Sequence, residues 1–543
     1  MKGWARLWPI LLIAVAGGIF RGGDLAVRPL HNDEAINAFK LAELHDHGRY
    51  RYDPHEYHGP VLYYASLPVL KGVSWVRPGQ PDEVGMRWVT VLFGVGLILL
   101  LPLVRDGMGT GPMVVAGVLT AVSPAMVYYS RYYIHEVPLV FFTFLTLAAG
   151  WRYVRRPGWG WAAMAGVGVG LMYATKETFV FAVAAAAAGV LVMAAAGRGA
   201  AGAGEAEGDA AGTRGWVGRI GLRWRRVMGQ VQPRHWGMAG GLAIGVAVVL
   251  FSSFLANPGG PWDAVRTYFI WLERAGGASP HIHPWHFYWE RLAWYRWPGE
   301  RVWTEGAILL LAGVGVVGVW WRRPGGGGGV DWRWGRFLSV YTLLLAGMYS
   351  AIPYKTPWCF LGFLHGLILL AGVGGWVLVT VVRPVWLRVL PGLALAAAAG
   401  QLGWQAWRAS YWMPADFRNP YVYAHTAGDV ENLLERVAEL VAVHPEGERM
   451  PMQVMAPRSE YWPLPWYWRR MERVGWWDAV PENPYAAVVV AATGLNANLE
   501  ERSEGAMRMV GMFELRPRFF VEVYVERELW ARFLEARAAA RRR

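Results

Sequence analysis

Cysteine is almost missing: Cys359 is the only one in 543 residues, so no intrachain disulfide can form and a disulfide-stapled scaffold is excluded. Charge is scarce as well. Asp, Glu, Lys and Arg make up 17% of the chain, where a soluble globular protein carries about a quarter. The polar, aromatic-poor composition of a disordered chain is absent too, because 55% of the residues are apolar and 33 are Trp. Nor is there a nucleotide-phosphate loop. The glycine-rich tracts at 198–235 and 325–329 follow no strand pattern and lead into no Gly-Lys-Ser/Thr, which excludes a self-powered ATPase of that type. They read as flexible tethers.

What the chain has is long apolar runs. Eleven stretches free of Asp, Glu, Lys and Arg fall within 7–20, 89–104, 112–129, 137–151, 157–175, 178–197, 236–262, 306–321, 337–354, 356–382 and 389–407. A bilayer-spanning helix needs about 20 residues. The shorter stretches are completed by Arg and Lys side chains that reach the interface from their ends. The basic start and apolar run at 1–20 look like a signal peptide, but no small-x-small cleavage site precedes Arg21, so an uncleaved first helix is expected. With residues 1–6 in the cytoplasm, alternate connections carry nineteen Lys and Arg against five acidic residues. That asymmetry is the positive-inside pattern. It accounts for much of the net charge of +13 without nucleic acid as a partner.

The expected fold is therefore mainly α: a polytopic membrane helical bundle of about eleven spans over 1–408, with an outside loop at 21–83 and a cytoplasmic linker at 198–235. An extracytoplasmic α/β domain is expected over 409–543. Its signals are helical periodicity at Val430–Val443, short buried strands at Met452–Met455 and Ala486–Ala492, alternation at Phe519–Glu526 and a basic-ended helix from Glu528 to Arg542.

The residues with chemical potential gather in the outside connections. His31-Asn32-Asp33-Glu34 follows the first span, with Asn32 or Asp33 able to cap an amphipathic helix. Further along come His58-Gly59-Pro60-Val61-Leu62-Tyr63-Tyr64, then Tyr128–Glu136 with Arg131, His135 and Glu136, then Lys176-Glu177, then Pro353–Trp358 with Lys355. Each alone is as well read as a cap, an interfacial anchor or a snorkelling cation. Carboxylates and cations at one membrane boundary nevertheless suit sugar transfer from a lipid phosphate. A carboxylate takes the acceptor proton, and cations or a metal steady the charge growing on the departing phosphate.

These motifs resemble the GT-C superfamily of membrane glycosyltransferases, which carries an acidic motif in its first outside loop. In combination, HNDEA, HGPVLYY, YYSRYYIHE, TKE and PYKTPW, with YVYAHT at 421–426 and YWPLPWY at 461–467, look like the prokaryotic flippase-activity-associated family of the Agl glycosylation pathway. The resemblance implies Asp33 as general base and Glu34 as its neighbour or metal partner. It also implies a polyprenyl-phosphate-linked sugar as donor, and a glycan, lipid or protein as acceptor. Arg131, Lys176 and Lys355 would bind the donor phosphate. His58, His135, Glu136 and Glu177 would meet substrate or a metal, and a divalent ion (magnesium or manganese) stays open. The histidines at 45–58 and 281–286 give no complete zinc set, and His365 reads as a hydrogen-bonded packing residue. The competing class is an accessory or transport protein for lipid-linked saccharides. Transporters place ionisable groups near the bilayer midplane, whereas these carboxylates avoid the apolar runs.

Overall fold

The computed structural model describes residues 7–55, 58–74, 82–196, 232–275, 281–321 and 329–542. The linker at 198–235 and the tether at 325–329 fall mostly outside the described residues. By contacts the chain divides into two units. One holds Met1–Gly23 and Glu43–Trp412, the other Asp24–Ala42 and Met413–Arg543. The sequence reading kept 21–83 together and divided the chain after 408. The contacts instead group 24–42 with the C-terminal segment: the Leu30 main chain is hydrogen-bonded to Thr426 and Tyr467, and the His31 ring to Tyr423 O.

In the first unit each of the eleven apolar stretches contains a helix. The chain is a multi-pass membrane protein. Among the described residues five helices are long and apolar enough to cross a bilayer, or six if the bent pair Thr110–Val122 and Pro124–Ser130 counts as one span. Shorter apolar helices run over Trp8–Gly22, Phe179–Ala194 and Gly306–Trp321. Lipid gives helices no hydrophobic reason to associate, so close packing has to come from small residues. Helices Gly306–Trp321 and Leu361–Val381 pack in that way. A Cβ on Gly315 would run into the Leu370 carbonyl, and one on Gly374 into the Leu311 carbonyl.

The bent pair is explained by one residue. Pro124 has no N–H, so the Thr120 carbonyl loses its helical donor, and the axis turns by 58°. Arg21, fully buried, donates instead to Thr120 O (2.6 Å) and Ala121 O (2.9 Å). Glu305, also fully buried, accepts from Ser123 Oγ (2.5 Å) and from the Ala125 N–H (3.0 Å). A cation thus meets the carbonyl end of one helix and an anion the N–H end of the next, each matching the local dipole. This brace fixes the short helix that leads into Arg131–Glu136.

The second unit is built on a five-stranded sheet: β1 Met452–Met455, β2 Val474–Trp477, β3 Val488–Ala492, β4 Met507–Arg516 and β5 Phe519–Glu526, in the order β2-β1-β3-β5-β4. β1 runs parallel to β2 and β3, while β5 is antiparallel to β3 and β4. Val488 and Val490 of β3 face the core that holds helices Val430–Val443 and Arg527–Arg541; Val489 and Ala491 face a smaller cluster with Leu499 and Tyr524. Two-sided burial is why β3 reads as an unbroken apolar run.

Arg21→Met should lower stability by about 3 kcal/mol, since it leaves two buried carbonyls without donors. Thermal unfolding of the detergent-solubilised protein measures this, and an unchanged midpoint would mean that the brace is idle.

Candidate active site

The acidic motif opens helix Asn32–His47, and its cap is His31 rather than Asn32 or Asp33. The imidazole Nδ1 of His31 accepts from the Asp33 N–H (3.0 Å), while the Glu34 carboxylate reaches back to the His31 N–H (3.1 Å). This is the reciprocal arrangement of a capping box. Because Nδ1 accepts a main-chain proton, the ring proton sits on Nε2 and points at Tyr423 O, 3.1 Å away. Glu34 also takes the Arg28 guanidinium at 2.7 Å. The two neighbouring carboxylates therefore differ sharply: the Glu34 side chain is 0% exposed and committed to Arg28 and His31, whereas that of Asp33 is 46% exposed. Of the pair, only Asp33 has a side chain open to solvent. The His425 ring lies 5.0 Å from that of His31 and accepts from Tyr423 N (2.9 Å). Burial pulls His31 below the usual imidazole value against the upward pull of Asp33 and Glu34. Burial, with His31 and Arg28 adding to it, holds His425 well below that value.

In the first unit, His58 forms an antiparallel bridge with Lys176. Gly59 N and Val61 N donate to Thr175 O and Ala174 O, each at 3.0 Å. Gly59 is needed there because a Cβ would strike the Ala174 main chain, and Pro60 then starts helix Val61–Ser74. The pairing brings four sequence-identified residues together. Lys176 Nζ is bonded to Glu136 at the start of helix Glu136–Arg155. His58 Nδ1 lies 3.1 Å from Glu177 Oε2. His135 joins them, with Nε2 3.1 Å from Gly59 O and its ring 4.9 Å from that of His58. Tyr268 adds a bond from its hydroxyl to Glu177 O (3.0 Å). Burial alone would lower the Lys176 pKa, but the charge and hydrogen bond of Glu136, with the nearby Cys359 and Glu177 adding to them, together hold it above the usual lysine value. Burial would likewise raise Glu177, and the charge and hydrogen bond of His58 hold it below the ordinary carboxylate value.

Glu136 and Lys176 form the polar part of a pocket that is otherwise mostly apolar, lined by Leu139, Val140, Ala182, Leu345, Leu361 and Cys359 among others. The other two cations of the sequence reading are engaged with main chain. Arg131 donates to Arg21 O and Gly23 O and stacks over Tyr411 (4.3 Å), closing the carbonyl end of the first helix. Lys355 donates to His283 O (3.1 Å) and to Ile352 O. The Nε2 of His365 has no hydrogen-bond partner among the described residues, and the ring packs on Phe144 instead. Among the described residues no three or more His, Cys, Asp and Glu side chains gather as a metal site. Glu136 is taken by Lys176 and Glu177 by His58, so the residues present do not fit a resident ion. Sequence reasoning missed Arg28, Arg21 and Glu305, and gave Tyr423, His425 and Thr426 no role beyond membership of the motif at 421–426. The His31-x-x-Glu34 spacing and Pro124 within an apolar run were the available signals.

The fold is GT-C-like, shared with solved membrane glycosyltransferases. Residues 75–201, which contain Glu136, Lys176 and Glu177, match the family described as Dolichyl-phosphate-mannose-protein mannosyltransferase. The chain is similar in structure to ArnT from Cupriavidus metallidurans, solved bound to undecaprenyl phosphate: 15% identity, 96% of this chain and 98% of that one, TM-score 0.59. It is also similar to the Archaeoglobus fulgidus oligosaccharyltransferase in complex with Zn and sulfate: 12% identity, 96% of this chain and 75% of that one, TM-score 0.52. The comparison with curated proteins gives no match.

Both low-pKa histidines take up a proton when the chain unfolds below pH 6.5, their unperturbed value. Their stabilising contribution is complete above that pH and is lost as pH falls through the depressed folded values. The unfolding midpoint should hold between pH 7 and 8 and drop below 6.5. His425→Asn, which keeps an acceptor for Tyr423 N, should flatten that drop; an equally steep decline would show that other groups govern it.

Proposed function

We propose that this protein is an integral membrane glycosyltransferase that moves a sugar from a polyprenyl-phosphate-linked donor to an acceptor hydroxyl on the outer face. The acceptor oxygen attacks the anomeric carbon as the bond to the phosphate oxygen breaks. Asp33 takes the hydroxyl proton, and the polyprenyl phosphate departs with the bonding electrons. One base suffices for this direct displacement. The exposure of Asp33 beside a fully buried Glu34 supports giving it that role.

The observation that carries the reading is the Lys176–Glu136 pair at the polar part of an apolar pocket. The Lys176 ammonium, its charged form favoured by Glu136, suits a phosphate. Arg131 and Lys355 would contribute through structure, by holding the helix-end and loop carbonyls they bind. His58, oriented through Nδ1 by Glu177, would present its other nitrogen to substrate. The fold shared with ArnT, solved with undecaprenyl phosphate, and the mannosyltransferase family match support the donor class. The closer likeness to the flippase-activity-associated family belongs to the same proposal.

Purified protein supplied with polyprenyl-phosphate sugars tests it. Asp33→Asn should lower kcat by about 100-fold or more, the scale of a lost general base. Lys176→Met should weaken transfer with the larger effect on donor KM. No transfer by the wild type or either variant, with saccharide translocation retained in vesicles, would replace the enzyme with a transport protein. A second readout needs no turnover. Cys359 is the only thiol and lines the pocket, so polyprenyl phosphate should slow its alkylation by a maleimide several-fold. An unchanged rate would take the lipid out of this pocket.

A further inference from the structure

The acidic motif lies near the start of the chain, yet long-range bonds that hold it come from residues as far as 392 and 437 positions away, and Arg516 is farther still. Leu30 is pinned on both sides: its N–H donates to the Tyr467 hydroxyl (2.8 Å), and its carbonyl accepts from Thr426 Oγ1 (2.6 Å). His31 follows, tied through Nε2–H to Tyr423 O and through Nδ1 to the Asp33 N–H. The Asn32 amide sits between Trp462 O (2.9 Å) and the Arg516 guanidinium (3.0 Å). Two turns on, Phe39 is gripped edge-on by Trp462 (5.5 Å) and Trp466 (5.6 Å).

These contacts are not spread evenly over the helix. Three of these bonds fall on Leu30 and His31, the two residues before it, and His31 Nδ1 in turn accepts from the Asp33 N–H. A helix fixes the side-chain directions of its first turn once its entry is fixed, so a clamp on Leu30 and His31 sets which carboxylate turns inward to Arg28 and which turns out. We propose that segments 421–426 and 461–467 serve the reaction by setting the direction of Asp33, with Thr426, Tyr467 and His31 as positioning residues. This rests on Asp33 being the base. It assigns the C-terminal unit to the transfer step itself rather than to acceptor recognition alone. The charged and titratable groups facing His31 are Arg28, Asp33, Glu34 and His425.

The test uses the full-length protein with Thr426→Val and Tyr467→Phe, near-isosteric changes that each remove one bond to Leu30, and with His31→Asn. Asparagine at 31 keeps an N-cap acceptor but is too short to reach Tyr423 O. Hydrogen exchange at residues 31–36 should quicken in all three. At the same time kcat should fall roughly 10- to 100-fold, the cost of a misaimed reacting group, with donor KM unchanged. A purely structural role would lower the unfolding midpoint without that split. Wild-type exchange in all three variants, or faster exchange with undiminished kcat, overturns the positioning role. Asp33→Asn in parallel separates the two readings. If it is inactive while Thr426→Val and Tyr467→Phe are fully active, only the positioning role falls. If it is fully active, the base assignment falls and this inference with it.

Discussion

A charge removed from water persists only beside a partner that replaces the lost hydration, and that constraint organises both units. Isolated burial of an ion costs several kcal/mol even after relaxation. Every deeply buried ionic group described above is accordingly matched. Arg21 meets carbonyls freed by Pro124, Glu305 meets the N–H end of the next helix, Lys176 meets Glu136, and Arg28 meets Glu34. Each match ties together segments distant in sequence or locks the entry to a helix. Electrostatic satisfaction and chain geometry are the same fact here.

The exceptions to full burial are informative for the same reason. Asp33 keeps its oxygens largely in the open one residue away from a carboxylate that is wholly enclosed. The Lys176 ammonium, although paired, forms part of a pocket wall that is otherwise mostly apolar. Its partner Glu136 favours its charged form. A bundle whose helices approach through Gly315 and Gly374 is a rigid support for such groups, because backbone-to-backbone contact leaves little room for adjustment.

Much of the architecture was legible because apolar periodicity is a local signal. Every apolar run became a helix, and β1, β5 and helix Val430–Val443 fall at their expected limits. β2 and β4 were not legible. β2 is four residues with two Trp, and β4 mixes Met, Arg and Gly with two register shifts against β5. Such strands are held by their neighbours rather than by their own pattern. The number of bilayer crossings is not set locally for a related reason: length and apolarity set a span's fitness, but neighbouring helices set its tilt and ends.

Composition and spacing alone determined that this chain lives in a membrane, carries an α/β unit at its C-terminal end and clusters ionisable residues in the connections between apolar runs. These follow from how many apolar residues stand in a row, a property that no folding can alter. Which of two adjacent carboxylates is spent and which is available, that His31 is the cap, and that Arg131 and Lys355 are turned toward main-chain carbonyls were decided only in three dimensions. Asp33 and Glu34 are chemically near-identical in one dimension. They part because a helix turns its side chains by a fixed angle per residue and a clamp from the far end of the chain decides where that rotation begins.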